Sequence, residues 1–462
     1  VLPRILPIAC LAALALAAPA AASSTQTVTF EAPRDLMDPA ARPDALKELE
    51  SLGVRALRVQ LRWTDVAPDA DLRVKPSFNE TEPDSYHWGE YAEVLNAAKE
   101  RGWRVLLTIA TPAPRWATAG ARDHVYRPSP NEFRKFVTAV GKKFGDRISL
   151  YSILNEPNHP DFLKPQLDSR GRPVSPGVYR GLYAAALRGL AGAGETAKPV
   201  LMGETAPVGT SKVVAPLTFL RGALCLNSRY HRDSRCERLR VDAWAHHAYT
   251  TRKGPFYVPD GPNNVTIGVL SRLTRALDRA ARAGAVPKRL PVHLTEFGIQ
   301  SEPDPVNGVS FQRQEEYRAI SERIAWANPR VASFSQYLLR DDNPVSGVPR
   351  IARYSGFESG LRTASGNPKA SFDGFRLPLV AKRGKRSVTL WGLVRPGDGG
   401  RAATVEYSGN GGKSWHKLST VGTNGLGYWK KGTAYRKGRV YRVTWIAPDG
   451  QTYTGATVRA YR

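Results

Sequence analysis

Eight short runs rich in apolar and β-branched residues recur along the chain, at 27–30, 56–61, 104–109, 150–154, 199–202, 241–245, 291–294 and 331–337. The intervening stretches space their apolar residues as a helix does, clearest over 91–101, 131–144, 178–191, 267–283 and 312–327. Strands that alternate with helices pair in parallel through right-handed crossovers. Eight such units suit a closed (β/α)8 barrel better than an open doubly wound sheet. The open sheet also lacks its usual cue, because no Gly-x-Gly-x-x-Gly follows any of the eight runs.

The chain has 462 residues, enough for a barrel of about 250–350 residues and a further small unit. The segment 367–377 reads as the eighth helix, and beyond it the texture changes. Runs at 388–394, 403–407, 441–446 and 455–460 alternate between apolar and polar residues and are divided by Gly-rich turns. That pattern predicts a small all-β, immunoglobulin-like sandwich over 378–462, after a TIM barrel over 25–377.

The first 22 positions read as a cleaved secretory leader. Arg4 precedes an apolar run over 8–18, and Pro19-Ala20-Ala21-Ala22-Ser23 offers a small-residue cleavage site. The run is shorter than the roughly 20 residues of a membrane span, so export without an anchor is expected. Loss of the leader removes Cys10 and leaves Cys225 and Cys236, which an oxidising compartment would join as a disulfide. Two cysteines cannot build a thiolate zinc site, and no metal site is expected.

The net charge of +26 is unevenly spread. Positions 376–462 hold 17 Lys and Arg against 3 Asp and Glu. The aromatic residues Trp391, Tyr428, Trp429 and Tyr435 sit among these basic positions. The combination suits contact with an anionic cell-wall polymer or acidic polysaccharide; the other reading is a solvated surface on an inert shielding module. Nucleic acid is not the expected partner. Ser408-Gly409-Asn410-Gly411-Gly412-Lys413-Ser414-Trp415 resembles an Asp-box hairpin, whose polar residues bind the turn and whose tryptophan packs beneath it.

In a TIM barrel the loops at the C-terminal ends of the strands converge on one mouth, so polar residues ending the strands deserve first scrutiny. The fourth run ends in Leu154-Asn155-Glu156-Pro157-Asn158 and the seventh in Leu294-Thr295-Glu296-Phe297-Gly298. Two carboxylates thus reach one rim from well-separated staves. Cleavage of a glycosidic bond with retention needs such a pair about 5 Å apart, one protonating the leaving oxygen and one attacking the anomeric carbon.

Asn155-Glu156-Pro157 and Glu296-Phe297-Gly298, in this strand context, resemble the retaining glycoside hydrolases of clan A, which include families 5 and 39. The resemblance covers about residues 27–377. It implies that Glu156 is the acid/base, that Glu296 is the nucleophile and that Asn155 binds the sugar hydroxyl beside the anomeric carbon. Arg58, five residues before Trp63, looks like the arginine that steadies the nucleophile. His247-Ala248-Tyr249 resembles the clan His-x-Tyr pattern, in which the tyrosine contacts the nucleophile, while His246 alternates to the opposite face.

The chain also departs from family 5. Thr108-Ile109-Ala110-Thr111-Pro112 lacks the histidine expected after the third run, and Ser335-Gln336-Tyr337-Leu338 lacks the tryptophan expected after the eighth. Gln336 or Tyr337 either substitutes for it or packs in the core. Glu204, in Gly203-Glu204-Thr205, either contacts a sugar hydroxyl or caps the next helix. Trp63, Trp88, Trp116 and Trp244 either stack on sugar rings or belong to the core, with Trp116 the best placed for substrate.

The resemblance therefore implies a secreted glycosidase acting on β-linked oligo- or polysaccharides with no cofactor, since its carboxylates supply acid, base and nucleophile. Glucan, xylan, mannan and uronate-bearing polymers all fit these motifs. The alternative is a glycan- or wall-binding protein that keeps the barrel without catalysis. A phosphoesterase or metal-dependent barrel would need a histidine/aspartate cluster at the strand ends, and none is found there.

Overall fold

The computed structural model describes Ser23 and residues 25–462, so the expected leader with Cys10 lies outside the described residues. Eight parallel strands close into a barrel in sequence order. They are β1 Thr27–Glu31, β2 Ala56–Arg62, β3 Arg104–Ala110, β4 Leu150–Ile153, β5 Val200–Thr205, β6 Ala243–His247, β7 Val292–Glu296 and β8 Val331–Tyr337. Closure is made by β1 against β8, in register from Thr27 opposite Ser333 to Glu31 opposite Tyr337.

One principal helix follows each strand. These are α1 Arg42–Ser51, α2 Gly89–Glu100, α3 Pro130–Phe144, α4 Ser175–Gly192, α5 Pro216–Ala223, α6 Ser271–Arg282, α7 Phe311–Trp326 and α8 Ala370–Arg376. Their starts are chemically marked. Ser129 and Ser310 cap α3 and α7 by accepting from the backbone N–H of Glu132 and Arg313, and Pro130 occupies the first turn of α3, where no N–H is needed. On α6 the buried residues Leu273, Ala276, Leu277 and Ala280 recur at helical spacing and turn one face to the barrel.

Strands β5, β6 and β7 run further than the apolar runs predict. The ladder continues to His247 opposite Glu296, because a hydrogen-bonded neighbour holds a polar strand end that β-propensity alone disfavours. The strand ends therefore carry the polar side chains that matter below.

Eight further strands form two antiparallel sheets. One has the order β13-β10-β9, from Leu426–Ala434, Ser387–Asp398 and Leu379–Arg383. The other has the order β12-β11-β14-β15, from His416–Gly422, Ala402–Ser408, Val440–Ile446 and Thr452–Thr454, with β16 Val458–Arg459 pairing β14. Apolar residues of both sheets share one core, including Leu390, Val394, Val405, Val443 and Trp445. The strands at 379, 416, 426 and 452 escape the sequence pattern because they are basic, Gly-containing or mostly exposed.

The aromatic residues of this unit are not a surface array. Trp391 is 1%, Tyr428 5% and Trp429 4% exposed. Trp391 and Tyr428 pack with Val380 and Leu393 against Ala319 and Ile320 of α7, while Trp429 belongs to the inter-sheet core. Glycan contact through these three rings is therefore corrected: burial of apolar area between barrel and sheets claims them first. Arg395 crosses the same junction to pair with buried Glu322, which Arg318 also holds at 2.8 Å.

The hairpin at 408–415 follows its Asp-box likeness. Ser408 Oγ accepts from Gly412 N–H at 2.8 Å, and Asn410 Oδ1 accepts from Ser414 N–H at 3.0 Å. Trp415 remains half-buried, with the Arg442 guanidinium 4.2 Å above its ring. Cys225 and Cys236 are joined by a disulfide. Among the described residues no helix is long and apolar enough to cross a membrane.

Candidate active site

The turn after β4 and the end of β5 carry backbone that side chains usually avoid. Leu154, Glu156 and Glu204 have φ of 61°, 37° and 45°, in the left-handed region. Such conformations persist where the surroundings over-determine them, and they concentrate at functional sites. Here Glu156 N–H donates to the Glu204 carbonyl at 3.0 Å. Asn158 then ties the two segments together, donating to the Ala206 and Val214 carbonyls at 3.2 and 2.8 Å and accepting from Ala206 N–H at 2.8 Å. Glu156 is thereby fixed at the rim.

Glu296 ends β7 opposite His247. Its Oε1 accepts from the Tyr249 hydroxyl at 2.8 Å and its Oε2 from Arg58 Nη1 at 3.1 Å. The imidazole of His247 lies between the two glutamates, with Nδ1 2.9 Å from Glu156 Oε1 and 3.5 Å from Glu296 Oε2. An ionised carboxylate only accepts, so a protonated Nδ1 would donate to these oxygens. Burial pulls the His247 ring toward neutrality, but the charges of Glu296 and Glu156 outweigh it and raise its pKa. The side chains of Glu156 and Glu296 keep 17% and 10% exposure, whereas His247 has none. The two carboxylates thus keep some access to solvent, and the imidazole is buried beside them.

Arg58 is the hub beneath. It contacts Glu296, donates to Asn155 Oδ1 at 2.7 Å and Glu204 Oε2 at 2.8 Å, and bonds Glu31. Burial works against the charge of Arg58, yet Glu204, Glu31 and Glu296 raise its pKa well above the usual guanidinium range. Accepting from Arg58 orients Asn155 and leaves its amide –NH2 as a donor. Tyr249 remains a phenol, since burial first and Glu296 second push its pKa far up.

Other expectations resolve differently. Glu204 is fully buried, and its oxygens are taken by Arg58 and by the Thr108 hydroxyl at 2.9 Å. The reading as a sugar contact is corrected: this carboxylate anchors the arginine. Trp116 lies in the loop after β3, edge-on to Trp63 and Phe78 with centroids at 6.0 and 5.7 Å, and its N–H bonds the Pro68 carbonyl. It joins that aromatic cluster and not the carboxylates. Trp63, Trp88 and Trp244 are core residues at 1%, 6% and 0% exposure. Gln336 is claimed by Arg318, which donates to it at 2.7 Å. His246 faces away, bonded to Thr205 and to the Val265 carbonyl.

Two members of the cluster escape the sequence reading. Glu31 is the last residue of β1, and Thr108 lies on β3 against Glu204. The rule that selects Glu156 and Glu296, a polar residue ending a strand, also selects Glu31 when applied to the first run. A cavity of about 520 Å³ opens beside this part of the site, lined by Glu31, Arg58, Tyr337, Arg62 and Asp65 among others. Among the described residues no group of three or more His, Cys, Asp or Glu is arranged to hold a metal ion.

No protein-family model and no curated protein sequence matches the chain. Among solved structures it is similar to a glucosidase from Croceicoccus marinus, at 12% identity over 92% of this chain and 96% of that one, with a TM-score of 0.54. A β-glucosidase from Exiguobacterium marinum aligns over 72% of this chain and 84% of its own at 14% identity, with a TM-score of 0.49. At such identities the likeness is one of fold: a parallel eight-stranded barrel.

Proposed function

We propose that the protein is a glycoside hydrolase that cleaves β-linked glycans with retention. The observation that carries this reading is the shared imidazole. The glutamate oxygens that meet His247 Nδ1 lie 2.9 and 3.5 Å from it. The nearest oxygens of the two glutamates are thus no further apart than the sum of those contacts, a span that accommodates the roughly 5–5.5 Å of a retaining pair.

In the first step a Glu296 oxygen attacks the anomeric carbon, the bond to the leaving oxygen breaks, and that oxygen takes the proton of Glu156. The product is a glycosyl ester of Glu296. In the second step Glu156 removes a proton from water, the water oxygen attacks the anomeric carbon, and the ester breaks to free Glu296. Arg58 and Tyr249 hold the nucleophile in place, and the amide –NH2 of Asn155 is aimed at the neighbouring sugar hydroxyl, a contact that strengthens in the transition state. The balance closes with one water consumed and no cofactor. Action outside the cell accords with the leader-like first 22 positions and with the Cys225–Cys236 disulfide.

Hydrolysis of an aryl β-glycoside panel tests the reading. Glu156→Gln and Glu296→Gln are each expected to lower kcat by about 10²–10⁴-fold, and NMR is expected to show the β-anomer as the first product. Activity that survives both substitutions, or an α-anomer formed first, would overturn it.

A further inference from the structure

The outer flank of the barrel at α5 and α6 carries a second feature, remote from the glutamates. Arg272, Arg275, Arg279 and Arg282 follow one another along α6 at intervals of three, four and three residues. They therefore form one stripe, about 15 Å long at 1.5 Å per residue, on the side opposite the buried Leu273, Ala276, Leu277 and Ala280. Two adjoining clefts of about 550 and 580 Å³ lie along it and share Tyr230 and Arg279. Arg229 and Arg232 of the disulfide loop line the first, and Arg221 of α5 lines the second.

No carboxylate lines either cleft, and among the described residues none of these seven arginines pairs with one. The contrast with other arginines is plain: Arg62 pairs with Asp65, Arg362 with Glu48, and Arg330 with Asp278, the one acid of α6. Like charges on successive turns repel, and Asp278, the acid that neighbours Arg275 and Arg282 on the helix, is engaged by Arg330. It is also held in place. Tyr230 is buried beneath the guanidinium of Arg279, 4.1 Å from its ring, with Arg221 at 5.6 Å. Arg221 donates to Asn263 at 3.0 Å, Arg232 to the Cys236 carbonyl at 2.6 Å, and the disulfide closes the loop that carries Arg229 and Arg232.

We infer that this flank is a binding track for an acidic polysaccharide. The loop holding Pro262 and Asn263 follows β6 and lies toward the catalytic mouth, whereas the disulfide loop precedes β6 and lies toward the opposite end. The track therefore runs down the barrel from the rim side. Successive arginines are about one helical turn apart, ~5.4 Å, comparable to one sugar ring in an extended chain, and guanidinium forks match carboxylates or sulfates two oxygens at a time. A single-stranded nucleic acid would call for exposed rings on which bases stack; Tyr230, the aromatic lining residue, is buried and covered. The recognition is by charge, and it is independent of the hydrolytic reading.

The test is binding of the full-length chain to polygalacturonate, followed by affinity electrophoresis at several salt concentrations, with dextran as the neutral control. Polygalacturonate is expected to retard the protein and dextran is not. The double variant Arg275→Gln/Arg282→Gln changes two exposed side chains of the stripe. It is expected to weaken binding at least about tenfold and to flatten the salt dependence, with its melting temperature and its aryl-glycoside activity as in the parent. Reversal of Lys382, Arg383, Lys385 and Arg386 to glutamate is expected to leave binding within about twofold. Equal retardation by dextran, an unchanged double variant, or tighter binding to single-stranded DNA of equal charge would overturn the assignment.

Discussion

Arg58 offers one positive charge to three carboxylates, Glu31, Glu204 and Glu296. The partners respond in opposite senses. The arginine gains from all three, while burial drives the pKa of Glu31 up to about 7 despite the nearby cation, with Glu296 adding to the rise. Burial, with a guanidinium shared among three carboxylates, leaves Glu31 holding its proton above the ordinary carboxyl range. Between its ordinary value near 4.5 and about 7, native Glu31 holds a proton that the unfolded chain has released. Its contribution to stability is thus complete below that window and is lost as pH rises through it. Glu31→Gln is expected to remove this component, so the urea midpoint should fall less between pH 4.5 and 7.5 in the variant than in the parent. Parallel profiles would show that Glu31 does not titrate there.

At the scale of elements, the barrel strands were legible because each is an apolar run, buried on both faces, between helical stretches. Their ends were legible only in part: β6 and β7 gain His247 and Glu296 from each other's ladder. The turn after β7 shows a further constraint that spacing cannot display. A Cβ on Gly298 would sit 2.5 Å from both the Ser359 Cβ and the Tyr337 carbonyl oxygen. Backbone from the β8 side cannot retreat from that position, so glycine alone lets the Glu296-Phe297-Gly298 turn pass. Gly298→Ala is expected to cost about 1–3 kcal/mol of stability by overpacking, read as a lower urea midpoint, and to lower kcat by displacing Glu296. A variant as stable as the parent would show that the neighbouring loop yields.

For the whole molecule, the β-sheet unit is built onto the barrel and not tethered to it. Its Trp391 and Tyr428 complete an apolar cluster with α7, and Arg395 lies over Phe375 while pairing with Glu322. Both partners of that pair are buried, at 5% and 0% side-chain exposure. Arg395→Met is therefore expected to destabilise by about 3–5 kcal/mol, because it leaves a buried carboxylate short of a partner. Calorimetry of the parent should show one cooperative endotherm. Two well-separated endotherms would mean that the units fold independently.

Alternation of apolar runs was enough to indicate eight strands, six of the helices between them and a change of architecture after the barrel, because periodicity is a local consequence of which faces are buried. Strand-end position was enough to single out Glu156 and Glu296, whereas Arg58 and Tyr249 were reached only through the resemblance to clan A. Tertiary structure alone decided that Glu204 anchors an arginine, that His247 spans both glutamates, and that the tryptophans belong to cores. Those outcomes depend on which strands become neighbours when the sheet closes, and a linear pattern carries no record of distance across a barrel.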